Sequence, residues 1–252
     1  WMEPDGSDKQ PSRLLLLVQD HRGYLNLCEL LARGWTRNAQ RTQAWIKWHW
    51  LDELSQGLIA LSGADGGVVG MALLAGDAPR AMALAQRLAS CFAGRFYIEL
   101  QRAGLASNEA HVKRAVALAA QLRLPVVATH PVQFLEAEDY EAHEARVCIA
   151  EGETLANPRR LKRFSAEQYF KSGAQMCALF ADLPSALTNS VAIARRCNLQ
   201  LTLGKPQLPN FPIPEGMALE AYFRKVSFEG LEQRLQMLYP DAAERERQRA
   251  RY

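Results

Sequence analysis

The sequence has no Cys-x-x-Cys pair, no Gly-x-Gly-x-x-Gly run and no glycine loop ending in Lys-Ser/Thr. These absences exclude the common zinc-knuckle, dinucleotide and P-loop chemistries. No apolar run approaches the roughly 20 residues that a membrane-spanning helix needs. The opening Trp-Met-Glu-Pro-Asp-Gly carries no basic segment followed by an apolar one, so no secretory signal is read and a cytoplasmic location is expected. Charge of one sign is also scarce: 30 Lys and Arg stand against 27 Asp and Glu, a formal net of +3. That balance does not argue for nucleic-acid binding by itself. The five cysteines, Cys28, Cys91, Cys148, Cys177 and Cys197, are odd in number and widely spaced. They read as buried reduced thiols rather than as a disulfide framework or a metal site.

The remainder is an ordinary globular mixture, 48% hydrophobic and 23% charged. The first half alternates two kinds of segment. Apolar runs at Arg13–Asp20, Leu58–Gly63, Arg95–Gln101 and Pro125–Thr129 predict four strands. Helices are expected over Gly23–Arg33, closed by Gly34, and over Val68–Leu74, Pro79–Cys91, Ser107–Gln121 and Asp139–Ala150. Strands that are continuously apolar and separated by helices imply right-handed crossovers and a parallel sheet or barrel with both faces covered. After Gly152 convincing strands disappear. Helices are predicted at Ser165–Lys171, from a Ser165/Gln168 capping pair, and at Ala174–Phe180, Pro184–Cys197 and Leu219–Leu238. Pro206, Pro209, Pro212 and Pro214 make Lys205–Gly216 extended. The mixed charges of Pro240–Tyr252 suit an exposed helix or linker. The expected domains are 1–152 and 153–252.

A catalytic site in such a fold would lie at the carboxyl ends of the strands. The polar residues expected there are Asp20-His21, Asp65, Gln101-Arg102 and His130. None brings a complete set of partners. His130 is followed by Pro131, Val132 and Gln133, so it reads as a capped or solvated imidazole rather than a metal ligand. Glu141, His143 and Glu144 read as a favourable acidic first turn of a helix, not as a His-Glu-x-x-His site. Gly63-Ala-Asp-Gly-Gly67 reads as a strand-to-helix turn. Trp35, Trp45, Trp48 and Trp50 are expected to pack a loop rather than to stack on bases. Arg159, Arg160, Lys162 and Arg163 form a short basic cluster, read as a solvated loop with a phosphate contact as the alternative.

Several ordered blocks carry a resemblance. They are Leu15–Leu27, Gly57–Gly63, Phe96–Leu100, Leu124–Thr129 with Asp139–Ile149, Phe164–Asn198 and Leu208–Pro212. In order and spacing they resemble the alpha subunit family of bacterial replicative DNA polymerase III, which begins with a PHP (polymerase and histidinol phosphatase) domain. The resemblance implies an α/β fold: the last four strands of a seven-stranded PHP-type β/α barrel, then a mainly helical extension toward the polymerase palm. It also implies that the earlier strands with their His-x-His motif precede Trp1, and that the palm with its catalytic aspartates follows Tyr252. The full-length parent would be a DNA-directed DNA polymerase, a nucleotidyltransferase using Mg, while this chain would be inactive and hold no cofactor.

Active PHP domains in this resemblance bind metal through His and acidic ligands. Here the corresponding positions are Ala103, Pro131 and Gln133, of which Ala and Pro offer no ligand atom and Gln is a poor one. The implied metal site has decayed. The role left is structural: to support the rest of the alpha chain and dock the proofreading exonuclease (epsilon) subunit, with DNA met through the full-length protein. An open barrel edge would favour self-association. The alternatives are an active metal-dependent PHP phosphoesterase or exonuclease, and a stand-alone α/β-barrel metabolic enzyme.

Overall fold

In the computed structural model, which describes residues 1–4, 10–206 and 209–251, the first apolar run forms strand β1 (Leu15–Val18). Asp20 closes it and caps helix α1 (His21–Arg37), its carboxylate accepting from Gly23 N at 2.9 Å. A short hairpin, β2 (Ala39–Gln40) and β3 (Gln43–Ala44), and helix α2 (Trp48–Leu54) lead into β4 (Leu58–Leu61). Helices α3 (Val68–Leu74) and α4 (Ala78–Cys91) precede β5 (Phe96–Gln101). Helix α5 (Asn108–Leu122) connects to β6 (Val126–Thr129), and α6 (Tyr140–Glu151), α7 (Gly173–Leu179) and α8 (Pro184–Arg196) follow.

The four strands form one sheet in the order β1-β4-β5-β6, a partial barrel-like arrangement followed by a mainly helical region. β4, β5 and β6 are parallel, with Ala60 opposite Phe96 and Gln101 opposite Thr129. β1 departs from the expected parallel sheet. It pairs antiparallel to β4, Val18 opposite Leu58. Two helices and a hairpin separate these strands, so the chain returns to the end where β1 stops, and Gln19 N donates to Gly57 O. Both sheet faces are covered, which explains the continuous apolar strands. Leu58, Ala60, Phe96, Ile98 and Ala128 pack under α1 to α5 in the larger core. Ile59, Leu61, Tyr97 and Val127 meet Ile193 of α8 on the other face. Each such aliphatic side chain stabilises the fold by about 1.5–3 kcal/mol when fully buried.

Several sequence expectations need correction. α1 continues through Gly34, where the missing side chain admits Ile46: a Cβ there would lie 3.1 Å from Ile46 Cδ1. The Ser165/Gln168 pair makes its bond, Ser165 N to Gln168 Oε1 at 3.0 Å, but forms a turn and no helix. The backbone of Tyr169 is taken instead by a bridge to Phe134. Trp48 and Trp50 lie on α2, a helix the sequence reading missed, with both rings buried in the core as packing residues. Of the five cysteines only Cys148 is buried; Cys28 and Cys177 are exposed, and all are free thiols.

The compact units divide at residue 201 rather than at 152, as Trp1–Leu201 and Thr202–Tyr252. Helices α7 and α8 therefore belong with the sheet, Asn189 of α8 donating to Val126 O of β6 at 2.8 Å. The second unit holds α9 (Leu219–Leu238) and α10 (Ala242–Arg249), joined by a two-pronged pair from Arg249 to Glu232. In the proline-rich stretch and its Leu208–Pro212 block, Gln207 and Leu208 lie outside the described residues. No helix among the described residues is long and apolar enough to cross a membrane.

Candidate functional site at the carboxyl ends of the strands

Gly63 after β4, Glu99 and Gln101 on β5, and Pro131 and Gln133 after β6 converge on one cleft of about 400 Å³, with Arg13 and Trp1 on its other side. This is where a parallel α/β fold places its chemistry. Glu99, which lines this cleft, is 3% exposed and follows the buried run Phe96–Ile98 of β5. One carboxylate oxygen accepts from Gly63 N at 3.0 Å; the other accepts from Thr129 Oγ1 at 2.5 Å and Gln101 Nε2 at 3.1 Å. Glu99 N donates to Ser62 Oγ at 2.9 Å. One side chain thus ties the ends of β4, β5 and β6 together, and both its oxygens are already occupied.

Gly63 adopts φ +82°, and its backbone N–H is turned onto Glu99 as the chain enters the Ala64–Gly66 turn. The glycine-rich segment is therefore a strand-to-helix turn. Asp65 in that turn meets Arg13 at 3.8 Å and accepts from Ser107 Oγ at 3.1 Å.

The three positions implied as former metal ligands fall at the ends of the last two parallel strands. Pro131 and Gln133 line the cleft. Ala103 is fully buried; its N–H donates to Asn108 Oδ1 at 2.8 Å and its carbonyl accepts from Ser165 Oγ. His130 does not join them: its Nε2 faces Glu167 O at 2.8 Å. Among the described residues, no group of three or more His, Cys, Asp and Glu side chains is placed to hold a metal ion. A carboxylate saturated by hydrogen bonds, an amide and a proline do not fit the ligand set of a PHP metal centre.

The other candidate polar residues have structural partners. His21 stacks on Tyr24. Arg102 reaches away from the cleft to form a bidentate pair with Asp182 and donates to Leu179 O, anchoring β5 to the α7–α8 turn. The Asp182 hydrogen bonds raise its pKa. The basic cluster is split. Arg160 is buried in a pair with Glu144 of α6, while Arg159 and Lys162 are exposed and Arg163 lies 3.4 Å from Glu151. Glu144 is thus a buried anchor rather than part of an exposed acidic turn. His143 is enclosed by Phe134 and Phe164.

Burial lowers the pKa of three imidazoles, His111, His130 and His143, below the ordinary histidine range. Each disfavours the charged form in the fold, so the unfolded chain binds more protons near its own pKa of about 6.5. Their contribution to stability is complete above that value and is lost as pH falls through the lower folded-state values. Urea unfolding is expected to show a midpoint that declines between pH 7.5 and 5.5. A flat midpoint across that range would contradict this.

The fold is a mixed α/β domain with its cleft at the strand ends, and its residues 1–103 match the family model described as PHP domain. The chain is closely related to the alpha subunits of bacterial DNA polymerase III. It is 48% identical over 240 residues to DNA polymerase III subunit alpha of Pseudomonas aeruginosa, covering 95% of this chain and 20% of the relative. The Neisseria meningitidis (strain Z2491) subunit is 47% identical over 247 residues, 96% of this chain and 21% of the relative. That of Escherichia coli (strain K12) is 41% identical over 241 residues, with the same shares. The chain spans about a fifth of the length of the curated relatives it matches.

The sequence reading missed the role of Glu99. Its signal was present, a carboxylate inside the run Phe96-Tyr-Ile-Glu-Leu100, where burial demands partners.

Proposed function

We propose that this chain is a PHP module of a DNA polymerase III alpha subunit that has exchanged metal chemistry for a structural role. The full-length protein would polymerise DNA with Mg. This module would brace the polymerase and dock the proofreading exonuclease subunit. The observation that carries the reading is the cleft: Pro131 and Gln133 line it where ligands are implied, and the Glu99 carboxylate is spent on tying three strands together. β1, at the edge of the sheet, is the place for self-association when its neighbours are absent.

The test uses the full-length protein. After dialysis it is expected to hold no stoichiometric zinc or manganese, to hydrolyse no phosphoesters when these metals are added, and to co-elute with the exonuclease subunit. Stoichiometric metal together with metal-dependent phosphoesterase turnover would replace this reading by that of an active PHP enzyme. Failure to co-elute would remove the docking role.

A further inference from the structure

Between α6 and α7 the chain runs through residues 153–171 without a helix or strand of its own. A connection of that length inside a compact domain is uncommon and usually functional. This one ties down the segments that follow two strands. Beyond β5, Ser165 Oγ donates to Ala103 O. Beyond β6, Gln168 Nε2 donates to Pro131 O at 3.0 Å and His130 Nε2 donates to Glu167 O at 2.8 Å. The backbone adds Gln133 N to Gln168 O at 2.8 Å and Phe170 N to Phe134 O at 3.0 Å. On α6 the hold is an ion pair, Arg160 Nη2 to Glu144 Oε2 at 2.5 Å, with side chains only 5% and 4% exposed. Phe164 stands edge-on to His143 beside it.

These contacts are unevenly satisfied. Among the described residues, buried side-chain atoms without a hydrogen-bond partner gather along this connection: His130 Nδ1, His143 Nε2, Glu144 Oε1 and Arg160 Nη1. Each is a polar group taken from water with nothing in return, and each regains water when the connection lifts. The closed form is therefore held less firmly than its bonds alone suggest, whereas the apolar sheet beneath it gains nothing from opening. Glycines stand at both ends: a Cβ on Gly152 or on Gly173 would meet no atom within 4 Å, so neither end is wedged in place. We propose that residues 153–171 form a strap that lifts as a unit from the ends of β5 and β6 while the sheet stays folded, with the Arg160–Glu144 pair as its latch. Lifting gives water access to Ala103, fully buried in the closed form, and to Phe134, 9% exposed there. No partner enters this inference, so it stands apart from the docking role proposed above.

The experiment follows backbone amide hydrogen exchange in the full-length protein, read by mass spectrometry of its peptides. The strap is reported by the amides of Gln133 and Phe170, and the sheet by that of Ile98, which donates to Pro125 O. In the natural protein the strap amides should exchange at least about tenfold faster than Ile98, through an opening that leaves the sheet closed. Glu144→Gln leaves the Arg160 charge without its counter-ion in the closed form, and should speed strap exchange by about a hundredfold with Ile98 unchanged. Native trypsin cleavage after Arg159, Lys162 and Arg163 should accelerate with it. Arg163→Gln removes a pair that is 62% exposed on the same strap, and should alter strap exchange by less than about threefold. Strap amides that exchange no faster than Ile98 in the natural protein would overturn the proposal. So would a Glu144→Gln variant in which all three amides accelerate alike, because the strap would then open only with the whole domain. An unchanged strap in Glu144→Gln, or an equal effect of Arg163→Gln, would overturn the pair as the latch.

Discussion

Replacing Glu99 by Ala is expected to destabilise the protein by about 3 kcal/mol, lowering Tm by roughly 6–12 °C for a domain of this size. The substitution deprives the Gly63 N–H, the Thr129 hydroxyl and the Gln101 amide of their common acceptor, all at the end of the sheet. A buried donor left without a partner costs about 1–3 kcal/mol. Thr129 and Gln101 recover part of that cost by keeping their mutual bond at 3.0 Å, whereas the N–H of Gly63 has no such alternative. Glu99→Gln separates the contributions. It keeps the volume and one acceptor oxygen but turns an amide N–H₂ toward at least one existing donor, so its loss should fall between zero and that of Ala. Thermal unfolding of the two variants decides the matter. If Glu99→Ala unfolds within about 2 °C of the natural protein, less than a 1 kcal/mol change would produce, Glu99 does not hold the strand ends together.

Replacing Gly23 by Ala is expected to be at least as damaging, about 3 kcal/mol or more, for a different reason. A Cβ on Gly23 would lie 1.9 Å from the carbonyl oxygen of Gly57, so backbone rather than a flexible side chain must move. The same carbonyl accepts from Gln19 N, and Gly57 itself sits at φ +74° with the Asp20 carboxylate against it. The first turn of α1, the end of β1 and the entry to β4 are therefore one close-packed corner. Gly173→Ala is the matched control. Gly173 opens α7 with no atom within 4 Å of a built Cβ, and its φ is not in the left-handed range. There the added methyl should be neutral or stabilise by about 0.4–1 kcal/mol through the unfolded state. Equal stability of the Gly23 and Gly173 variants would mean that the corner relaxes at no cost.

These two sites show unequally how far the sequence could be read. Gly23 stands between a strand and a helix, and the block that contains it was legible as a strand-to-helix element. The need for glycine was not legible, because it comes from Gly57, 34 residues away in sequence. Glu99 was visible as a carboxylate within an apolar strand, but its three partners come from β4, β5 and β6. The basic cluster divides in the same way. Arg160 and its neighbours look alike as a run of cations, yet Arg160 is buried on Glu144 and Arg159 and Lys162 are exposed.

The sequence by itself determined the four strands, most of the helices between them and the ordered blocks that carry the resemblance. Those features rest on local periodicity, caps and residue chemistry, all carried within a few neighbours along the chain. Only the tertiary structure decided that β1 runs antiparallel to β4, that α7 and α8 belong with the sheet, that Ser165–Lys171 is not a helix, and that Glu99 is the bond point of the cleft. Each of those depends on contacts between residues far apart in sequence, whose strand direction, burial and hydrogen-bond partners exist only once the chain has closed on itself.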